Sequence, residues 1–310
     1  MHWSSLLLST APLLAAASTQ LSARQSTTKF TVSTKTRFQT IDGFGFSAAF
    51  QRANLIVNLP VPKKQALLDL LFNTSTGAGF TILRNGIGSS PDSQKDYMNS
   101  IAPKSPGSPS ATPNYVFDGK DSGQLWLSQQ AVKYGVPTIY ANAWSAPGYM
   151  KTNGDDRNGG TLCGISGAKC SSGDWRQAYA NYLVRYIQFY LEAGVNITYV
   201  GPWNEPDYTT KYASMNSNGA QSAEFIKIFR PTLDAANLTY VGIICCENTG
   251  WSKAAQNTQD VKAAGAENLV SVFSSHAYTS GLAGPISTKN RVWETEYADL
   301  NGNWNTAWYR

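Results

Sequence analysis

Charge is scarce in this sequence. Only 15% of its 310 residues are Asp, Glu, Lys or Arg, against 42% hydrophobic, which excludes a charge-rich disordered chain and leaves enough apolar material for a buried core. The 25 basic residues outnumber the 20 acidic ones slightly and are scattered, with pairs such as Lys63-Lys64 as the densest grouping. No stripe tracks a phosphate backbone, so nucleic acid is not an expected partner. No apolar run approaches the roughly 20 residues of a membrane span, so no membrane association is expected. Cysteine is limited to four residues, without a C-x-x-C pair or an accompanying His-x-x-x-His, which argues against a zinc site. Nor is there a complete dinucleotide fingerprint: Gly43-Phe44-Gly45-Phe46-Ser47-Ala48 lacks the third glycine and reads as a tight backbone passage. Neither a metal nor a cofactor is expected.

What is present begins with a leader. Residues 1–18 combine an uncharged start, an apolar stretch from Leu6 to Ala17 broken by Pro12, and small residues at Ala16-Ala17-Ser18. They read as a secretory signal peptide, with cleavage between residues 17 and 23, and predict an extracellular protein. Sequons at Asn73, Asn196 and Asn237 fit export through a glycosylating pathway. Cys163 and Cys170 close a short Gly-rich loop and are expected to form a disulfide, whereas the adjacent Cys245 and Cys246 read as buried small hydrophobes whose side chains strand alternation points apart.

Short strands are predicted at Phe30–Val32 and Arg37–Ile41, making residues 19–40 a β-rich N-terminal segment. Apolar β-rich runs then recur at Ile41–Ser47, Thr81–Gly86, Thr138–Ala143, Ile197–Gly201, Thr239–Ile244, Val270–Ser275 and Arg291–Thr295. Helix-forming stretches follow each but the last, and the clearest spans 174–192, with Asp174 as N-cap and Tyr179, Tyr182, Leu183, Tyr186, Ile187 and Tyr190 at helical spacing. Residues 63–72 and 220–236 predict two more. Strands alternating with helices imply a parallel sheet, because parallel neighbours need a crossover. Without a nucleotide fingerprint, a (β/α)8 barrel over residues 41–310 is preferred to a doubly wound sheet. The polar segment Ser89–Gly123 is long for a connection and reads as a lid, a binding loop or a disordered stretch.

A barrel concentrates chemistry at the C-terminal ends of its strands. The fourth strand ends in Pro202-Trp203-Asn204-Glu205-Pro206 and the seventh in Trp293-Glu294-Thr295-Glu296-Tyr297, giving each end a carboxylate. Glycoside hydrolysis needs such a pair: one carboxyl protonates the leaving oxygen while the other attacks the anomeric carbon or activates water. Glu294, which alternation places on the same face as Glu296, is the internal rival for the second role.

With these motifs the sequence resembles the retaining glycosidases of clan A, and within them glycoside hydrolase family 30, especially its fungal xylanase branch. The resembling stretches are Ile41-Asp42-Gly43-Phe44-Gly45, Leu83-Arg84-Asn85-Gly86-Ile87-Gly88, Ala143-Trp144-Ser145-Ala146-Pro147, Trp203-Asn204-Glu205-Pro206, His276-Ala277-Tyr278 and Thr295-Glu296-Tyr297. The resemblance implies Glu205 as acid/base and Glu296 as nucleophile. In a retaining site the two carboxyls sit about 5–5.5 Å apart, so one must hold a proton at working pH. Arg84 is expected to keep Glu296 ionised, Asn204 to bind the sugar 2-hydroxyl, and His276 to orient Tyr278 or a carboxylate. Trp144, Trp203 and Trp293 offer flat faces for sugar rings. Arg52, after the first strand, is a candidate to grip a uronic acid carboxylate.

The expected partner is a polysaccharide, plant cell-wall xylan first, met by a monomer. Family 30 also contains enzymes acting on β-1,6-glucan, β-1,6-galactan and glucosylceramide, which stand as alternatives, and an inactive carbohydrate-binding fragment is the alternative of another class. The last is raised by length: Arg310 comes 14 residues after Glu296, with an eighth βα unit and the return strands of a side domain not in view. The chain is therefore expected to be C-terminally incomplete, with exposed strand edges.

Overall fold

The structure, a computed structural model, describes residues 31, 33–92, 98–298 and 300. The leader and the strand expected at Phe30–Val32 lie outside the described residues, apart from residue 31. The chain divides after Thr40. In the first unit the described residues are exposed and carry no strand, so the short strand expected over Arg37–Ile41 is not formed. Extended propensity becomes a strand only where a neighbour supplies hydrogen bonds.

From Ile41 onward, seven parallel strands alternate with helices. They are β1 (Gly45–Ser47), β2 (Ile82–Ile87), β3 (Thr138–Ala143), β4 (Tyr199–Gly201), β5 (Gly242–Asn248), β6 (Val272–His276) and β7 (Arg291–Glu296), paired in that order. The helices are α1 (Arg52–Val57), α2 (Val61–Phe72), α3 (Gln124–Lys133), α4 (Arg176–Glu192), α5 (Gly219–Ala235) and α6 (Trp251–Ala263). The result is a nearly closed barrel. Its two edges approach through Asp42, which accepts from Trp293 Nε1 at 2.7 Å and pairs with Arg291 at 3.2 Å.

Two layers of apolar packing hold this frame. Outside the strands, α4 buries the tyrosine and leucine stripe anticipated from its spacing. Tyr hydroxyls on that stripe also anchor the loops at the strand ends: Tyr179 donates to Pro202 O at 2.7 Å, and Tyr182 to Gly88 O. The helix begins two residues later than predicted, with Trp175 as N-cap, while Asp174 accepts from the Arg176 amide at 3.0 Å. Asn218 and Gln221 form a reciprocal capping box that starts α5. Inside the barrel, Tyr140, Ile244 and Val272 pack with Tyr199 and Trp293.

The long connection after β2 is packed at both ends, while its described residues between Pro103 and Lys120 are half-buried or exposed. Met98, Ile101 and Ala102 are buried, and parallel bridges join Gly88 to Ser100 and Ser90 to Asn99. Its far end is tied down by Asp121, which accepts from Tyr186 and Tyr190 at 2.6 Å each. Burial pushes that carboxyl up to about 6 although both phenols pull the other way.

The Cys163–Cys170 disulfide forms, with its Cα atoms 5.5 Å apart. Cys245 and Cys246 depart from expectation: both are buried, but they are bonded to each other. Strand alternation fails here because β5 is irregular, its pairing with β6 shifting register between Cys245 and Asn248.

Candidate active site

The irregularity in β5 delivers Glu247 to the barrel mouth, where its carboxylate meets residues of β2, β3 and β6. Its fully buried carboxylate accepts from Tyr140 at 2.5 Å, from Arg84 Nη2 at 2.9 Å and pairs with His276 Nε2 at 3.0 Å. Burial alone would raise its pKa, yet Arg84 and His276 outweigh that and hold it down to about 2. Glu205 and Glu247 both adopt left-handed backbone, with φ of 47° and 59°. Such conformations cost on the order of 1–3 kcal/mol each and persist only where surroundings impose them. Here the Glu205 amide donates to the Glu247 carbonyl at 2.8 Å, tying the ends of β4 and β5 together.

Arg84, on β2, is the central cation. Its Nη2 reaches Asn204 Oδ1 at 2.6 Å as well as Glu247, and its Nη1 donates to Glu296. The guanidinium also lies 4.5 Å from the Trp144 ring centroid. Burial opposes its charge, but Glu247 and Glu296 more than compensate and raise its pKa further. Glu296 in turn sits below the usual carboxylate range, because Arg84 and His276 overcome the effect of burial. Its second oxygen accepts from Tyr278 at 3.1 Å.

His276 joins the two ends of the constellation. Nδ1 faces Glu205 Oε1 at 3.0 Å while Nε2 faces Glu247, and Glu296 lies 3.9 Å from Nε2. Burial would make the ring neutral, but the hydrogen bonds it donates to Glu205 and Glu247 raise it to about 9. At neutral pH it is an imidazolium donating from both nitrogens. One ligand-type atom from each of Glu205, His276 and Glu296 lies within 4.8 Å of the other two, so an oxygen of Glu205 comes within that distance of an oxygen of Glu296. A trio of this kind can resemble a metal site. Here Arg84 and the imidazolium already supply its positive charge.

The predicted pair Glu205 and Glu296 therefore meets, with Arg84, Asn204, His276 and Tyr278 around it. Glu294 does not share the site: the β6–β7 pairing shifts register between Ser275 and His276, and Glu294 accepts from Trp251 at 3.3 Å. Burial corrects Trp203 as a sugar-binding face, while Trp293 stays half-buried. Trp203 is 1% exposed and packs edge-on against Phe225 of α5 at 5.4 Å. Trp293 packs against Tyr199 inside the barrel at 4.8 Å, held by its bond to Asp42. Trp144 does stand at the site but is 3% exposed, covered by Arg84 and the edge of Phe50. Arg52 is exposed as the first residue of α1, two positions beyond Phe50.

Sequence reading missed Glu247, Tyr140 and Asn142, which the structure brings to the Arg84 and Asn204 side chains. Glu247 carried a usable signal, a carboxylate at the end of a strand like Glu205 and Glu296. Asn142 and Tyr140 carried none beyond alternation along β3. They press on Gly201, where a Cβ would fall 2.0 Å from Asn142 Oδ1 and 3.1 Å from the Tyr140 hydroxyl. Glycine is the residue that permits this approach.

A model of glycosyl hydrolase family 59 matches residues 41–308. Galactocerebrosidase of Salmo salar is 26% identical over 274 residues, covering 85% of this chain and 34% of its own. Endo-1,6-beta-D-glucanase BGN16.3 of Trichoderma harzianum is 29% identical over 220 residues, 65% of this chain and 42% of its own. The chain thus spans between a third and a half of the curated relatives it matches. Among solved structures, the catalytic domain of GH30 xylanase C from Talaromyces cellulolyticus is 49% identical with a TM-score of 0.81, covering 86% of this chain and 60% of that one. The resemblance read from the motifs was to family 30, and a family 30 domain is this structural match, while the family model is that of family 59.

Proposed function

The chain belongs to the glycosyl hydrolases of family 59 and family 30 type, and from that premise we propose that it is an exported retaining β-glycanase acting on xylan. The observation that carries this reading is the pairing of Glu205 and Glu296 with oxygens within 4.8 Å, close to the spacing at which one carboxylate attacks the anomeric carbon directly. Inverting enzymes hold their carboxyls about 6.5–9.5 Å apart to admit a water.

The roles follow from charge. Arg84 and the imidazolium of His276 give two positive charges against three carboxyls. Glu247 and Glu296 are held ionised, and Glu205, at the end of β4, is assigned as the acid/base. Glu205 then protonates the glycosidic oxygen as Glu296 attacks, forming a glycosyl ester and releasing the leaving sugar. In the second step Glu205 takes a proton from water, which displaces Glu296. Tyr278 and Arg84 hold the nucleophile in place. Asn204 has its oxygen engaged by Arg84. Among the described residues its amide nitrogen takes no hydrogen bond, and it is assigned to the sugar 2-hydroxyl.

Xylan is favoured by the likeness to a xylanase catalytic domain at 49% identity. β-1,6-Glucan is the second reading, favoured by the 29% identity to fungal endo-1,6-glucanases. Export rests on the leader and on sequons, of which Asn196 and Asn237 are exposed. Arg52, at the cleft side of the β1 loop, is proposed to favour xylan bearing uronic acid. Product analysis on glucuronoxylan, linear xylan, β-1,6-glucan and β-1,6-galactan tests these points together, with NMR following the first anomer released. The expected outcome is a β-anomer from xylan, lost in Glu296→Gln. An α-anomer would refute double displacement, products from β-1,6-glucan alone would replace the substrate, and an unchanged glucuronoxylan preference in Arg52→Ala would remove that residue.

A further inference from the structure

Of the tryptophans named from sequence, Trp144 and Trp203 are buried and Trp293 is half-buried, yet further aromatic surface remains at the barrel mouth. Phe50, on the loop after β1, sets its ring nearly perpendicular to Trp144 at 5.1 Å and to Tyr212 at 5.5 Å. Tyr212, on the loop after β4, is 37% exposed. A line of rings thus runs outward from the Arg84 guanidinium through Trp144 and Phe50 to Tyr212. Tyr212 also stands near the reacting carboxyls: burial, then the charges of Glu205 and Glu296, push its phenol up to about 12.

The backbone under Phe50 is unusual. Phe50 and Gln51 both adopt left-handed conformation, with φ of 55° and 62°. For a bulky aromatic this is a genuine outlier, and such outliers gather at ligand-holding sites. Pyranose rings present a face of C–H groups, which fits the electron-rich face of an aromatic ring and buries apolar surface in doing so.

We propose that Phe50 and Tyr212, backed by Trp144, form a sugar-stacking subsite that takes the apolar face of one pyranose of a β-glycan chain beside the Glu205–Glu296 pair. The assignment rests on the β-glycanase reading. It moves the stacking role from the tryptophans to two residues contributed by opposite strand-end loops. Length selectivity follows, because only an oligosaccharide long enough to extend beyond the carboxyls reaches the pair.

The test is binding rather than turnover. Xylo-oligosaccharides and β-1,6-gluco-oligosaccharides of increasing length are titrated by calorimetry into Glu296→Gln and into the same protein carrying Phe50→Ala, Tyr212→Ala, Phe50→Tyr or Tyr212→Phe. Each alanine variant is expected to weaken the longer ligands about tenfold, equivalent to ~1.4 kcal/mol, while leaving the shortest ligand within about twofold. The two aromatic replacements should bind like the parent. If Phe50→Ala lowers the melting temperature, Tyr212→Ala, at an exposed position, carries the comparison. Unchanged binding in a folded Tyr212→Ala protein would overturn the subsite, as would an equal loss in Tyr212→Phe, which would assign the effect to the hydroxyl. Hydrolysis by the unmodified protein is measured separately. Absence of turnover with length-dependent binding intact would refute the enzymatic reading and keep the subsite, whereas absence of binding to either series would refute the subsite.

Discussion

Replacing Glu247 by glutamine isolates the charge at the centre of the site. Tyr140, Arg84 and His276 all point donors at this carboxylate. In Glu247→Gln the amide oxygen can remain toward Arg84 and His276, and the Tyr140 hydroxyl can rotate to accept from the new NH2 group. Shape is kept while one negative charge disappears. The first consequence falls on His276, whose rise from 6.5 to about 9 draws on Glu247 both as a hydrogen-bond partner and as a charge. A rise of that size corresponds to about 3 kcal/mol. Its sign is set by the direction: the stabilisation is complete below about pH 6.5 and is lost as pH rises through about 9. With Glu247 neutral, the imidazolium should lose its proton roughly one pH unit earlier or more. Imidazole NMR titration and the pH profile of kcat/KM should both show an alkaline limb displaced downward. Melting curves should show a protein weakened by up to about 3–5 kcal/mol near neutrality, the scale for removing one partner of a buried charge cluster. On the acid side, the contribution from Glu247, lost in the wild type as pH falls from 4.5 through about 2, should vanish. An alkaline limb and an imidazole titration that stay in place would refute the view that Glu247 sets the charge state of His276.

Arg84→Lys keeps the charge but cannot span Glu296, Asn204 and Glu247 at once, so kcat should fall by about 10²-fold or more, with restoration of arginine as the control. Replacing Cys163 and Cys170 together by serine opens a loop of sequence separation 7 and should cost about 2–3 kcal/mol in chemical denaturation; an unchanged midpoint would show that the loop is held by its other contacts. Trp203→Ala should cost about 3–5 kcal/mol of stability, because it empties a packed position against Phe225. A stable variant with selectively weakened ligand binding would return Trp203 to the cleft.

Much of the frame was legible from the chain alone. Each of the seven β-rich runs from Ile41 to Thr295 overlaps a strand, and for the inner strands β2 to β6, which are largely buried, the reason is that a parallel strand covered on both faces needs a short apolar run that composition exposes. The stripe in α4 was readable for a similar reason, its spacing being a local property of the helix. Exceptions cluster where the backbone leaves regular geometry. Cys245, Cys246 and Glu247 lie in the irregular part of β5, and Glu294 and Glu296 straddle a register shift in β7, so alternation assigned faces that the strands do not keep.

The sequence by itself determined the alternation of strands and helices, the family, and the two strand-end glutamates, since each is written in local periodicity or a short motif. Which groups surround those glutamates was decided only by the tertiary structure. Arg84 and Glu296 lie 212 residues apart and Glu205 and His276 71 apart, and they meet because barrel curvature brings strand ends to one mouth. The same closure decided the fate of the aromatics. A tryptophan beside such a motif reads as a sugar platform in one dimension, but exposure depends on what packs over it, and Trp203 and Trp144 are covered while Tyr212 is exposed. Burial is a property of neighbours distant in the chain, and no local pattern records it.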